Sequence, residues 1–170
     1  MTAVHLVCDS TADLDPAFRA AHTVRVVPLK VIFGDEQFED GVDINAEAFY
    51  ARLAKPGPFP RTSQPTPAEF EAVFRELGSD GGAIVCTTIS SDLSGTYASA
   101  TQARAALPEL DIRVIDTRSV AVGHYAAVRE AVRVIESGGD ADMVEAAVAA
   151  TTASASPPAS ITRTASRTTA

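Results

Sequence analysis

The chain has 170 residues, of which 46% are hydrophobic, and a formal net charge of −8 at pH 7. A chain of this length can bury a core without disulfides or metal, whereas its negative charge disfavours nucleic acid and anionic membranes as partners. No apolar run approaches the ~20 residues of a membrane span, so we expect no membrane insertion and, by default, a cytoplasmic location. An anionic ligand would have to be held by backbone and hydroxyl donors, because no basic field is present.

Four apolar runs predict β-strands. They cover residues 4–8, 24–33, 83–89 and 112–115. Mostly continuous apolar runs are typical of strands that are buried on both faces of a parallel sheet. Cys8 and Cys86 fall inside two of these runs without partners at metal-ligand spacing, so we expect them to be small buried hydrophobes.

Helical patterns alternate with the strands. Apolar residues at i, i+3, i+4 and i+7 predict helices through 70–77 and 128–135. Two further helices are predicted around Phe49, with Asn45 as the cap, and through 143–148, with Asp140 as the cap. This alternation predicts an α/β fold, with a mainly parallel sheet and helices on both faces.

Three polar turns follow predicted strands. They are residues 9–13, 90–96 and 116–119. Parallel sheets bind ligands at the carboxyl ends of their strands, so these turns are expected to line one edge of the sheet. The segment 34–41 is predicted to reverse the chain, with Phe38 folding back.

The turn at 90–96 has the chemistry of an anion site. It leads into a helix whose first N–H groups lack internal partners, and Ser94 and Thr96 add uncharged hydroxyl donors. Gly95 allows a ligand to approach the backbone closely. The alternative is that Ser90 or Ser91 merely caps the helix and the turn binds nothing.

A second polar cluster follows a proline-spaced segment. Thr62 and Ser63 are predicted to lie in a shaped loop and not in a strand, and the capping box from Thr66 to Glu69 pins the exit of that loop. The loop is a candidate ligand clamp. The alternative is that both side chains only close a turn through their own backbone.

The last twenty residues differ from the rest. The segment 151–170 contains ten Ser or Thr, two Pro and no acidic residue, with Ile161 as its only large apolar residue. Such a composition cannot bury enough surface to offset the entropy of ordering, so we expect a folded domain over 1–150 and a disordered tail over 151–170.

Six ordered motifs resemble the signature of the DegV family, over roughly residues 4 to 150. In order they are Asp9-Ser10-Thr11-Ala12-Asp13-Leu14, Val27-Pro28-Leu29, Phe33-Gly34, Asp40-Gly41-Val42-Asp43-Ile44 with Phe49-Tyr50, Thr62-Ser63-Gln64-Pro65, and Ser90-Ser91-Asp92-Leu93-Ser94-Gly95-Thr96-Tyr97. Six motifs in order are far more specific than any one alone.

The resemblance implies a three-layer α/β/α domain in a fatty-acid-binding protein that is not an enzyme and uses no cofactor. In bacterial members of the family, the protein presents the carboxylate of the fatty acid to a separate fatty acid kinase. Carried over by residue, the resemblance places this carboxylate against Thr62, Ser63 and Ser94. The backbone N–H groups of Gly95 and Thr96 complete the expected site, and no metal is expected.

The chain departs from the family pattern after residue 150. Family members have a second domain there, which supplies a histidine to the carboxylate and basic residues thought to dock the kinase. The tail at 151–170 therefore suggests a truncation or a change of reading frame. Because the acyl chain lies largely between the two domains in the family, we expect weak or no binding of long-chain fatty acid by this chain.

Three other functions were weighed. Ser94, Asp116 and His124 occur in the chain order of α/β-hydrolases, but the glycines of the nucleophile elbow are missing, and His124 is expected at a helix start or on the surface. A phosphate-binding enzyme or phosphotransferase could use 90–96, although Arg118 is the only nearby counter-charge. A structural or regulatory fragment without a ligand is the third alternative.

The acidic pair of the first turn is not assigned a metal or a catalytic role. Asp9 is expected to cap the first helix or to tie the turn that follows it, and Asp13 is expected to cap the helix from Leu14 onward.

Overall fold

A computed structural model describes residues 3–155. In chain order the elements are β1 (Val4–Asp9), α1 (Pro16–Ala21), β2 (Val24–Val27), β3 (Lys30–Phe33), β4 (Glu36–Glu39), α2 (Ala46–Leu53), β5 (Arg61–Ser63), α3 (Pro67–Leu77), β6 (Ala83–Thr88), α4 (Thr96–Ala105), β7 (Ile112–Asp116), α5 (Val122–Glu136) and α6 (Ala141–Ala155). Short 3-10 turns cover Ser10–Ala12 and Gly78–Asp80.

The main sheet has four parallel strands in the order β2-β1-β6-β7, which confirms the predicted parallel sheet. Helices cover both of its faces, which confirms the three-layer α/β/α fold. One face packs against α5 and α6 through Leu6, Cys8, Val85, Val128, Val144 and Val148. The other face packs against α3 and α4 through Val7, Ile84, Cys86, Phe70, Phe74, Ala100 and Ala103.

The predicted single strand at 24–33 is wrong. The chain forms β2 in the parallel sheet, breaks at Pro28, and starts β3 in a separate antiparallel sheet of order β4-β3-β5. Proline cannot donate a hydrogen bond to a sheet, which explains the break. The predicted reversal at 34–41 is confirmed as the β3–β4 hairpin, in which Gly34 has φ +63° and Phe38 pairs with Val31.

The small sheet is attached to the carboxyl edge of the large one. The N–H of Leu29 donates to the Ser10 hydroxyl at 3.1 Å, which ties the junction between β2 and β3 to the turn after β1. The apolar face of the small sheet packs with α2 through Val31, Phe33, Ile44, Phe38 and Phe49. This attachment brings β5 to the same edge as the polar turns.

Most predicted helix caps are confirmed. The N–H of Ala48 donates to Asn45, that of Met143 donates to Asp140, and Thr66 forms the full capping box with Glu69. The exception is α1, which Asp15 caps by accepting from the N–H of Phe18 at 2.8 Å. Asp13 instead ends the first 3-10 turn in a left-handed conformation, so its predicted capping role is wrong.

Helix α6 continues to Ala155, five residues beyond the predicted domain boundary at 150. The rest of the predicted tail, residues 156–170, lies outside the described residues. None of the helices over residues 3–155 is both long enough and apolar enough to span a bilayer.

Both cysteines are fully buried, as predicted. The pairing of Val7 with Cys86 places the Cys8 and Cys86 side chains on opposite faces of the sheet, so they cannot form a disulfide. Burial raises the pKa of both thiols. They therefore act as core residues and not as reactive groups.

Candidate ligand-binding site

The three predicted polar turns meet at the carboxyl ends of β1, β6 and β7. The chain leaves β1 toward one side of the sheet and β6 toward the other, so a crevice opens between these two strands. The N–H of Ser90 donates to the carbonyl of Ser119 at 2.9 Å, and the Ser91 hydroxyl donates to Asp116 at 2.6 Å. The prediction that the turns share one edge is confirmed.

The Asp9 side chain connects the turn at 9–13 with the start of the turn at 90–96. Its Oδ1 accepts from the N–H and the hydroxyl of Thr11 at 2.9 and 2.6 Å, which confirms that it ties its own turn. Its Oδ2 accepts from the N–H of Ile89 at 2.7 Å, across 80 residues of sequence. The carboxylate is fully buried, so these three bonds replace its hydration and hold the start of the 90–96 turn.

His124 continues this network into α5. Its Nδ1 lies 3.2 Å from Thr11 Oγ1, and its Nε2 lies 3.1 Å from Thr87 Oγ1. Because Thr11 gives its hydroxyl proton to Asp9, it can accept from Nδ1–H, while Thr87 donates to Nε2. The network thus assigns the proton of the neutral ring to Nδ1.

The environment of His124 differs from the prediction. The residue lies in the first turn of α5, as expected, but it is fully buried, so a surface position is wrong. Burial lowers the pKa of His124 below its ordinary value of 6.5, although the charge of Asp9 and a hydrogen bond with the backbone of Thr87 oppose this shift. The ring is therefore neutral at physiological pH.

The turn at 90–96 presents two of the three predicted residues to solvent. Gly95 is the N-cap of α4, so the alternative that Ser90 or Ser91 caps this helix is wrong. Ser94 and Gly95 are half-buried, and within residues 3–155 the Gly95 N–H has no hydrogen-bond partner. An incoming acceptor can therefore reach both residues.

Thr96 is fully buried and supports Ser94 from beneath. Its N–H donates to Ser94 Oγ at 3.3 Å, and the two hydroxyl oxygens lie 2.9 Å apart. When both groups of Thr96 donate to Ser94, the hydroxyl proton of Ser94 points outward. The Thr96 N–H is thus engaged within the turn, and the outward donors are Ser94 O–H and Gly95 N–H.

Thr62 and Ser63 lie in an exposed edge strand, β5, and not in the predicted loop. The loop prediction failed because no side chain of this strand is buried, so it leaves no hydrophobic pattern. Ser63 pairs with Lys30 and Thr62 pairs with Val31, which directs the Thr62 and Ser63 side chains to opposite faces of the small sheet.

Lys30, which the sequence analysis did not single out, lies beside Ser63. Its Nζ contacts Glu39 and Glu69, each at 2.6 Å. Burial by itself would lower the pKa of Lys30, but hydrogen bonds to these carboxylates and their charges outweigh it and raise the pKa. The cation is therefore already balanced by two anions.

The two predicted clusters approach each other through Gln64. A Cβ atom placed on Gly95 would lie 2.5 Å from Gln64 Nε2, so the Gln64 side chain rests directly against the glycine.

Two clefts of about 360 and 310 Å³ lie elsewhere, and none of the five predicted site residues lines them. Over residues 3–155, no group of three or more His, Cys, Asp or Glu side chains could hold a metal ion.

The geometry does not assemble the residues of a serine hydrolase. His124 hydrogen-bonds with Thr11 and Thr87, Asp116 accepts from Ser91 and from the N–H of Arg118, and Ser94 contacts Thr96. Arg118 is an exposed loop residue, and its guanidinium pairs with Asp92 at 2.7 Å. It is therefore already engaged and does not serve as a ready counter-charge for phosphate.

Comparisons with known proteins agree with this fold. A family model described as "Uncharacterised protein, DegV family" matches residues 3–156. A DegV domain-containing protein of Clostridium perfringens is 35% identical over 138 residues, which are 81% of this chain and 50% of that protein. Protein DegV of Bacillus subtilis is 31% identical over 137 residues, or 79% of this chain and 48% of that protein.

Two solved structures of similar proteins are of fatty-acid-binding proteins. A fatty-acid-binding DegV family protein from Thermus thermophilus has a TM-score of 0.82 and 32% identity over 90% of this chain and 54% of its own. A stearic acid-binding protein from Eubacterium ventriosum has a TM-score of 0.78 and 33% identity over 88% of this chain and 53% of its own.

The chain spans about half the length of the curated relatives that it matches. Within that half, the family model runs through every described strand and helix, from β1 to α6. The sequence motifs, the parallel sheet and the matched relatives agree, and the chain belongs to the DegV family.

Proposed function

We propose that the carboxyl edge of the parallel sheet binds the carboxylate of a long-chain fatty acid, in a protein that binds the acid without acting on it chemically. One observation supports the proposal: in the turn after β6, Ser94 and Gly95 are half-buried, and the Gly95 N–H has no hydrogen-bond partner among residues 3–155. Similar proteins of known structure that bind fatty acids support the class of ligand.

Neutral donors suit this ligand. The Thr96 N–H donates to Ser94 Oγ, and when the Thr96 hydroxyl donates to it as well, the hydroxyl proton of Ser94 is polarised toward an outside acceptor. The Gly95 N–H lies at the N-terminus of α4, where the helix dipole favours negative charge. Thr62 or Ser63 of β5 would donate from the second polar cluster, and because their side chains lie on opposite faces of the small sheet, only one of them can reach the same head group.

Exposed apolar side chains flank the same edge. Leu93 is 65% exposed beside Ser94, and Val122 is 81% exposed at the start of α5. An acyl chain that covered them would gain about 0.8 kcal/mol per buried methylene. The head group is thus held by polar donors, and the tail is held by burial.

Two finer statements stay predictions from the family resemblance. They are presentation of the carboxylate to a fatty acid kinase and completion of the acyl site by a second domain. A cytoplasmic location stays the default prediction from the sequence. The net charge of −8 opposes nucleic acid as a partner.

Replacing Ser94 by alanine is expected to weaken binding of octanoate about tenfold. The loss corresponds to one hydrogen bond to a charged acceptor, at the lower end of its usual range. The measurement is a titration of the ¹⁵N-labelled chain with sodium octanoate, followed by the amide signals of Gly95 and its neighbours.

Ser79→Ala is the matched control, because Ser79 is an exposed serine at the opposite edge of the sheet. It should bind octanoate as the wild type does. Octanol, which lacks the carboxylate, should leave the Gly95 amide unmoved, and so should inorganic phosphate. Equal octanoate affinity in wild type and Ser94→Ala would contradict the assignment of the head group to this turn.

A further inference from the structure

Gln64 occupies a position that is fixed on both sides. The preceding residue, Ser63, ends β5 and pairs with Lys30 of β3. The following residue, Pro65, is buried. Thr66 then forms the capping box of α3. The backbone at Gln64 therefore has little freedom, although its side chain is exposed.

The side chain of Gln64 lies against Gly95. Gly95 has φ −73° and ψ 5°, a conformation open to any residue. A Cβ on residue 95 would lie 2.5 Å from Gln64 Nε2 and 3.0 Å from Gln64 Cδ, so a larger residue there would displace the end of the Gln64 side chain. The amide group of Gln64 thus lies over the start of α4.

The amide of Gln64 is an unused donor pair at this place. Within residues 3–155, no protein group hydrogen-bonds with its side chain. Two other outward donors lie close by. The Gln64 side chain touches Gly95, which offers its N–H, and Ser94, the residue before Gly95, offers its hydroxyl. A carboxylate has two oxygens with about four lone-pair sites, more than these two donors can fill.

We infer that Gln64 is a third head-group ligand, whose Nε2–H donates to one carboxylate oxygen while Ser94 and Gly95 donate to the other. This inference rests on the proposed function and deepens it. It gives the residue between β5 and α3 the task of joining the two polar clusters around one ligand. It also makes the site selective for an acceptor, because all three groups donate.

The signals of the Gln64 side-chain amide test the inference directly in the wild-type chain. During titration with sodium octanoate, its two Nε2–H signals should shift together with the Gly95 amide and reach saturation at the same concentration. Gln64→Met, which keeps the length and loses the donors, should weaken octanoate binding about tenfold. Gln64→Glu should weaken it further, because its carboxylate repels that of the ligand.

Gln102→Met is the matched control, since Gln102 is an exposed glutamine of α4 away from the turn. It should leave octanoate affinity unchanged. Gly95→Ala offers a second route, because the added methyl group displaces the Gln64 amide and should weaken binding while the rest of the amide spectrum is retained.

The outcomes separate this inference from the proposed function. If the Gly95 amide shifts and Ser94→Ala weakens binding, but the Gln64 signals stay still and Gln64→Met binds normally, the role of Gln64 is overturned and the proposed function stands. If octanoate moves none of these signals in the wild-type chain, both fall together.

Discussion

Replacing Asp9 by asparagine is expected to lower the free energy of unfolding by about 1 to 3 kcal/mol. The Asp9 carboxylate is fully buried and accepts from the N–H and hydroxyl of Thr11 and from the N–H of Ile89. An amide would turn an NH₂ group toward one of these donors, so a buried donor would lose its acceptor. Denaturant unfolding of both proteins at pH 7 measures the difference.

Asp15→Asn is the matched control for this change. Asp15 is an exposed carboxylate that caps α1 through the N–H of Phe18, and asparagine caps helices about as well as aspartate. The free energy of unfolding of this control should fall by less than about 1 kcal/mol. A similarly small loss for Asp9→Asn would show that the buried carboxylate does not hold the two turns together.

Replacing His124 by alanine is expected to lower the free energy of unfolding by about 3 kcal/mol at pH 7. The substitution leaves a cavity, and it removes the hydrogen-bond partner of Thr87 Oγ1, which is fully buried. Thr11 also loses the Nδ1–H donor. His22→Ala is the control, because the partly exposed pair of His22 and Glu136 should contribute no more than about 1 kcal/mol.

The His124 effect should also depend on pH in a defined direction. Burial lowers the pKa of His124 in the folded state below the ordinary 6.5. Well above pH 6.5 the ring is neutral in both the folded and the unfolded chain, so its titration does not change the free energy of unfolding. Below pH 6.5 the unfolded chain binds a proton that the folded chain does not, so wild-type stability falls.

Unfolding measurements of wild type and His124→Ala between pH 7 and 5.5 test this linkage. Because the variant lacks the titrating ring, the stability gap between the two proteins should narrow as the pH falls. A gap that widens as the pH falls would mean that the folded state prefers the charged ring, contrary to its neutral role in the network.

The large sheet was predictable because its strands and helices carry local signals. Strands β1, β6 and β7 are mostly apolar, and α3 and α5 have clear helical periodicity. Where the signal is absent, the prediction failed. β5 buries no side chain, so only its pairing with β3 defines it as a strand.

The break at Pro28 had a signal that was outweighed by the apolar residues on either side of it. A proline within a strand pattern marks an edge or an end, and the chain does leave the parallel sheet there. Because residues 24–33 form one long apolar run, they were predicted as one strand, whereas they contain two strands that belong to different sheets.

The contacts that organise the site could not be predicted from local pattern. Asp9 reaches Ile89 across 80 residues, and His124 reaches Thr11 and Thr87 across 113 and 37 residues. A histidine near a helix start is more often exposed, so local pattern favoured the surface. Burial of His124 follows from how α5 packs on the sheet.

A crystal structure of the chain with bound octanoate tests the assignment of the head group most directly, because octanoate carries the same carboxylate as a long-chain fatty acid. The carboxylate oxygens should lie about 2.7 to 3.2 Å from Ser94 Oγ, Gly95 N and Gln64 Nε2. A carboxylate bound instead by a cation, such as Lys30 or Arg118, or seated away from the turn after β6, would contradict it.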